Sequence, residues 1–188
     1  YAVVDMQTGE RKEIAKADYT RYRLSPTGKY AYAYAETDSC WRTIDLATGQ
    51  HYTLTTPQDF VAWDEDNDVP DYPSAYGIAG ALPDDEGVII YDRYDLWLVP
   101  TTGGKMTRLT LDGRENKRQY RLQVLDREKV EEEGLDMRGM QLLTAFDETT
   151  KATSFYATSF KRPAKPVLLA GGDYKYGGVV KAKDANVL

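Results

Sequence analysis

The sequence predicts an all-β fold: a partial β-propeller of four-stranded antiparallel blades that form an incomplete ring. Three observations predict it. First, a strand that runs into a polar turn with glycine recurs, as YAVVDMQTG at 1–9, WRTIDLATG at 41–49 and LWLVPTTGG at 96–104. Each copy is followed by a second short strand-like run, RKEI at 11–14, HYTLT at 51–55 and KMTRLT at 105–110. Glycine supplies the positive φ that tight hairpin turns need. Second, a turn-then-strand unit precedes two of these hairpins, LSPTGKYAYAY at 24–34 and ALPDDEGVIIY at 81–91, with MQLLTAF at 140–146 in the matching place further on. Third, no long stretch repeats its apolar residues every 3.6 positions, as a helical domain would. The hairpins start at 1, 41, 96 and about 155, spaced 40, 55 and about 59 residues, and units of that length with four strands each mark a propeller.

Taken in order, residues 1–14 read as a partial blade and 19–55 as a blade. Within the latter, YAYAY at 30–34 puts tyrosines on one face and alanines on the other. Residues 56–75, TPQDFVAWDEDNDVPDYPSA, read as an insertion, and 76–110 as the next blade. Its centre, VIIYDRYDLWLVPTTGG at 88–104, is two neighbouring strands joined by a charged corner. There Asp92 and Asp95 are expected to accept backbone N–H bonds and Arg93 to pair with one of them. Residues 118–169 read as a further blade whose last hairpin, SFYATSF at 154–160 followed by PVLL at 166–169, has Pro163 in its turn instead of glycine. It carries the charged insert DREKVEEEGLDMR at 126–138, where 127–133 can form only a short helix with Val130 as its apolar face. Residues 174–188 read as a partial blade. The ring is therefore expected to be part of a larger propeller.

Composition narrows the function. The chain has 188 residues, 41% apolar and 29% charged, with 15 Tyr against 4 Phe and 3 Trp, a mixture suited to half-buried strands. Its net charge of −6 shows no basic face for nucleic acid. No run of about 20 apolar residues is present to span a membrane. No signal peptide is recognisable, and the opening Tyr1 suggests a processed chain or a piece of a longer one. The single cysteine, Cys40 beside Trp41, allows neither an internal disulfide nor a cysteine zinc site, and is expected as a small buried apolar residue.

No catalytic, cofactor-binding or metal-binding residue is assigned, and no cofactor is expected. The one histidine, His51, reads as a strand residue after the Thr48–Gly49 turn. Ser25, Ser39, Ser74, Ser154 and Ser159 all lack a nucleophile context. The acidic run Asp64, Glu65, Asp66, Asn67, Asp68 and Asp71 invites a calcium reading. However, an EF-hand loop wants glycine where Val69 stands and glutamate where Ala75 stands, so it reads as a solvated loop. Glu131, Glu132 and Glu133 read as a solvated charge run. Trp63–Asp64 occurs once and supports no WD-type repeat, and the pairs Gly171–Gly172 and Gly177–Gly178 read as turns.

The phrases IAGALPDDEGVIIYDRYDLWLVPTTGGKMTRLT at 78–110, RQYRLQVLD at 118–126 and LLTAFDETTKATSFY at 142–156 resemble the propeller of prolyl-oligopeptidase-type serine peptidases. Within that group they are most similar to bacterial dipeptidyl-peptidase and acylaminoacyl-peptidase-like members, and GGVVKAKDANVL at 177–188 looks like a blade start there. The resemblance covers roughly residues 20–188, and the run at 87–110 is its most specific part. It implies a non-catalytic propeller that gates peptide access to an α/β-hydrolase domain of the same parent protein. It also implies a periplasmic or secreted setting, although the residues themselves leave the compartment open. This chain contains no G-x-S-x-G elbow, so the hydrolase would lie outside it. The competing reading is a stand-alone propeller or β-repeat module that binds a protein or carbohydrate partner.

Overall fold

The computed structural model describes residues 1–16, 19–182 and 185. Among these residues the strands form one hairpin and three four-stranded sheets, each an antiparallel meander in chain order, and no closed ring. The hairpin is β1 (Ala2–Val4) and β2 (Arg11–Glu13). The first sheet is β3 (Tyr19–Leu24), β4 (Tyr30–Ala35), β5 (Cys40–Asp45) and β6 (His51–Thr53). The middle sheet is β7 (Ile78–Ala81), β8 (Gly87–Tyr91), β9 (Leu96–Pro100) and β10 (Thr107–Arg108). The outer sheet is β11 (Arg118–Leu122), β12 (Gln141–Asp147), β13 (Thr153–Thr158) and β14 (Val167–Ala170). Such sequential four-stranded sheets, stacked face to face, are propeller blades. Two short helices, α1 (Gly113–Asn116) and α2 (Arg127–Glu133), lie in connections. Among the described residues no helix is long and apolar enough to cross a membrane.

The alternation of strand side chains decides the packing. In β4, Tyr32 and Tyr34 join Trp41 of β5 against Val88, Ile90 and Val99 of the middle sheet. The alternate residues, Ala31 and Ala33, face the other way with Ile44, toward Ile14 and Leu46. In β8, Ile89 and Tyr91 turn to the outer sheet and meet Tyr120, Leu122, Leu143 and Tyr156. Every residue of β4 and of β8 is buried because a layer covers each face. Each large apolar side chain so buried contributes about 1.5–3 kcal/mol. Cys40 is buried within this packing, and its thiol is pushed up by burial.

The turns follow from their residues. Asp5 Oδ1 accepts the N–H groups of Gln7 and Thr8 at 2.8 and 2.7 Å, and Asp45 Oδ1 those of Ala47 and Thr48 at 3.0 and 2.9 Å. Gly9 and Gly49 close the two loops at φ 74° and 78°. Asp147 repeats this local pattern with Thr149 and Thr150, both at 2.9 Å, but Lys151 takes the left-handed position at φ 63°. The matched phrases SPTGK and PDDEG pack on each other: Ser25 Oγ donates to Asp85 Oδ2 at 2.9 Å, and Thr27 Oγ1 also donates to that carboxylate.

The insertion at 56–75 is only partly solvated. Phe60, Ala62 and Ala75 enter the core between the first two sheets, and Phe60 stacks on Trp97 with ring centroids 4.7 Å apart. α2 occupies the span where the sequence allows a short helix. Beyond β14, Lys175 bridges in parallel to Thr153. Of the expected partial blade at 174–188, residues 183, 184 and 186–188 lie outside the described residues.

Candidate functional site

Two polar regions lie at the junctions between sheets. One is the charged corner between β8 and β9. Asp92 Oδ1 accepts the N–H groups of Tyr94 and Asp95, both at 2.6 Å, and its Oδ2 accepts the Trp97 indole at 3.0 Å. Asp95 is fully buried. Its Oδ1 accepts Thr110 Oγ1 at 2.6 Å and Gly113 N at 3.1 Å, and its Oδ2 accepts Arg114 N at 3.1 Å and the Arg108 guanidinium at 2.6 Å. Burial pushes the Asp95 carboxyl above its ordinary value, against the pull of Thr110 and Arg108. The two aspartates therefore act on the backbone as the sequence suggests.

Arg93 corrects the sequence reading, because it pairs with neither aspartate. Its guanidinium reaches Asp66 in the insertion at 2.6 Å and Glu148 at 2.7 Å. Glu148 also accepts Tyr94 OH at 2.9 Å and Gln119 Nε2 at 2.8 Å. Burial raises the Glu148 pKa, but hydrogen bonds from Gln119, Arg93 and Tyr94 outweigh it and hold the group below its usual range. Arg114 pairs with Glu65 at 2.8 Å, and both Arg93 and Arg114 lie over the Tyr94 ring, 5.3 and 4.9 Å from its centroid. The acidic insertion is thus tied to the middle and outer sheets through arginines. Asn67 Nδ2 donates to the Val69 and Asp71 carbonyls at 3.2 and 3.0 Å, so the loop also binds itself. Among the described residues no group of three or more His, Cys, Asp or Glu is placed to hold a metal ion.

The other region is a groove beside α2. Asp126 Oδ1 caps the helix by accepting Lys129 N at 3.0 Å. Gly134 ends it at φ 87°, where a Cβ would stand 2.5 Å from Pro83 N. That close approach lets Leu135 N donate to Ala81 O at 2.7 Å, covering the free edge of β7. Val130 packs on the core below. Beside the helix lies a cavity of about 500 Å³ lined by Arg23, Tyr91, Arg127 and Glu131, among others. A second, of about 560 Å³, shares Arg23, Val130 and Glu131 with it. Arg23 and Glu131 stand 4.0 Å apart across it.

Near this groove, Arg121 is held by carbonyls and aromatic rings. It donates to Tyr120 O at 2.7 Å and Arg93 O at 3.1 Å. The guanidinium lies 4.7 Å from the Tyr91 ring and 5.6 Å from that of Tyr76. Desolvation pulls its pKa down, against the pull of Tyr91, Asp92 and Tyr76, and the carbonyl and ring contacts hold the guanidinium in place.

These sites can bind and position, and neither sets up a nucleophile. His51 lies against the hairpin, its Nε2 3.4 Å from Ile14 O. Ser25 serves the Asp85 turn, and Ser39 Oγ donates to Glu36 O at 3.4 Å. Glu131 belongs to the groove wall, while Glu133 meets Lys129 at 3.8 Å on the helix surface. Sequence reasoning missed Arg23 and Arg121, since nothing in a lone arginine within a strand shows which sheet junction it will face.

No protein-family model matches the chain, and no curated protein sequence matches it. Among solved structures it is similar to regucalcin, a calcium-binding protein from Agrobacterium tumefaciens str. C58. The identity is 14%, over 85% of this chain and 45% of that one, with a TM-score of 0.41. It is also similar to TolB from Acinetobacter baumannii, at 13% identity over 92% of this chain and 38% of that one, with a TM-score of 0.49. The chain spans less than half the length of either. The blade architecture rests on the sheets described above.

Proposed function

We propose that this chain is a non-catalytic propeller segment of a prolyl-oligopeptidase-type serine peptidase, gating peptide access to an α/β-hydrolase domain outside residues 1–188. The observation that carries the reading is the run at 78–110. It contains 87–110, the most specific part of the resemblance, and it folds as the middle sheet, whose central strand β8 is buried along its whole length. A wall built in this way resists deformation, which is what a size filter requires. The open groove beside α2 gives that wall a polar surface, with Arg23, Arg127 and Glu131 available to a peptide's charged groups.

The test is direct. The purified chain is expected to leave aminoacyl-proline and alanyl chromogenic substrates uncleaved. The reading frame downstream of residue 188 is expected to encode a G-x-S-x-G elbow followed by Asp and His. Turnover that a serine-directed inhibitor abolishes, or a stop codon in place of the elbow, overturns the proposal. A stop codon would favour the second reading, a stand-alone partner-binding module. Val69 and Tyr72, exposed on the insertion, support that alternative as a contact surface.

A further inference from the structure

The cavity of about 500 Å³ beside α2 draws its wall from the first strand of each four-stranded sheet. Arg23 comes from β3, Ile78 and Ala79 from β7, and Leu122 from β11. Two of those strands are bulged where they reach it. From Thr20 to Arg23, β3 advances three residues while β4 advances two, from Tyr34 to Tyr32. From Ile78 to Gly80, β7 advances two residues against one on β8. A bulge re-aims the side chains around it, and residues directly opposite on paired strands share a face. Arg23 stands opposite Tyr32, whose ring packs toward the middle sheet. Without the extra residue it would stand opposite Ala31, which faces Ile14 and Leu46 instead. Arg21, inside the bulge, holds φ 51° without being glycine, and backbone strain of that kind gathers at ligand sites.

The polar part of the wall is made of donors. In a chain of net charge −6, the cavity sets two guanidinium groups, Arg23 and Arg127, against one carboxylate, Glu131. Arg23 meets Glu131 only at 4.0 Å, with the two side chains 37% and 67% exposed. Among the described residues Arg127 forms no hydrogen bond or ion pair. Tyr91, buried at 8% exposure, also lines the cavity. Its hydroxyl accepts Leu122 N at 3.0 Å and, among the described residues, donates to no acceptor. Burial raises the pKa of that hydroxyl against the pull of Arg121 and Arg23, so it keeps its proton at neutral pH.

We propose that this cavity binds a carboxylate group of a peptide, held by the Arg23 and Arg127 guanidinium groups and the Tyr91 hydroxyl. Guanidinium forks match the two oxygens of a carboxylate. One negative charge suits two cations offset by Glu131, whereas a phosphate dianion would be repelled by it. Ile78, Ala79 and Leu122 offer apolar surface to the residue that carries the carboxylate. Binding displaces Glu131 from its loose hold on Arg23. The carboxylate is that of a chain terminus or of an acidic side chain, which share this chemistry. The role in peptide selection rests on the peptidase reading, while the binding is a property of this chain.

Titration calorimetry of the 188-residue chain tests it, with acetyl-trialanine, acetyl-trialanine amide and acetyl-Ala-Glu-Ala amide as probes. At least one of the two acids is expected to bind, about tenfold or more tighter than acetyl-trialanine amide, and whichever binds names the source of the carboxylate. Arg23→Gln and Arg127→Gln are each expected to weaken binding about tenfold. Glu131→Gln is expected to tighten it a few-fold by freeing Arg23, a gain that damage to the fold would not produce. Lys129→Gln, on the same helix but outside this lining, is expected to leave it unchanged. The proposal is overturned if neither acid binds at millimolar concentration, or if the plain amide binds as tightly as the acids. It is also overturned if Arg23→Gln changes nothing, if Glu131→Gln weakens binding, or if inorganic phosphate binds more tightly than either acid. A downstream G-x-S-x-G elbow without carboxylate binding would end this inference and keep the peptidase reading, and binding without the elbow would do the reverse.

Discussion

The middle and outer sheets have the same topology, each outer strand being one or two residues longer than its counterpart, yet they are held differently. The middle sheet has a neighbour on both faces. β8 is buried throughout, and the corner that joins it to β9 anchors backbone groups of the next connection through Asp95. The outer sheet has a neighbouring sheet on one face. Its strand β12 is fully buried at Leu143 and Ala145 alone, β14 is exposed along most of its length, and the corner joining β12 to β13 is a local loop built on Asp147. The difference lies in position within the stack, because the strand patterns themselves are alike. What differs is how much of the molecule depends on each side chain.

The largest expected contrast is between the two corner aspartates. Asp95→Ala removes a buried acceptor of four bonds and leaves the Arg108 cation and two backbone N–H groups without it. A loss of about 3–5 kcal/mol in urea unfolding is expected. Asp147→Ala removes a loop cap, and about 1 kcal/mol is expected. Equal losses would mean that the two corners are equivalent, and the comparison would fail. The core gives the next contrast. Ile90 is fully buried in β8, and Ile90→Ala is expected to cost about 2–5 kcal/mol. Leu168→Ala on the exposed edge is expected to change stability by less than about 0.5 kcal/mol.

A gain is expected on the outer side. Lys151 holds φ 63° where Gly9 and Gly49 stand in the equivalent turns. Lys151→Gly relieves a left-handed non-glycine residue, and a stabilisation of about 0.5–1 kcal/mol is expected. A loss would show that its side chain, 5.9 Å from the Phe146 ring centroid, matters more than its backbone.

The sheets were legible because their signals are local. The alternation in YAYAY and the glycine-closed turns ending at Gly9 and Gly49 each sit within a few residues, and each reappears in the structure. The charged corner was legible in half. Asp92 and Asp95 bond within or near the turn, as short polar side chains tend to. Arg93 is long enough to leave it, and its partners Asp66 and Glu148 come from two other segments. Reading the acidic run at 64–71 as solvated missed the same fact from the other end: Glu65 and Asp66 are held by arginines that fold onto them from elsewhere. Short helix α2 was visible as a possibility. That it would lie on β7 depends on Gly80 and Gly134 permitting close approach, and that is a property of two surfaces together.

The smallest effect concerns acid. Hydrogen bonds from the Thr48 backbone lower Asp45, and Glu148 is lowered by its three donors despite burial. A carboxylate whose folded pKa lies below its unfolded value, about 3.9 for Asp and 4.3 for Glu, stabilises the fold fully above the unfolded pKa. That contribution is lost as pH falls through the folded pKa. Asp95 has the opposite sign: its raised folded pKa favours the fold at low pH, and that advantage is lost as pH rises through the folded value. Unfolding followed from neutral pH down toward the carboxylate range is therefore expected to show falling stability from the depressed groups, partly offset by Asp95. Glu148→Gln keeps the shape of the side chain and removes one depressed group, so it is expected to flatten the acid limb while lowering stability at neutral pH. An acid limb as steep as that of the unsubstituted chain would place the pH dependence in the loop aspartates, and the junction between the middle and outer sheets would then be held by packing alone.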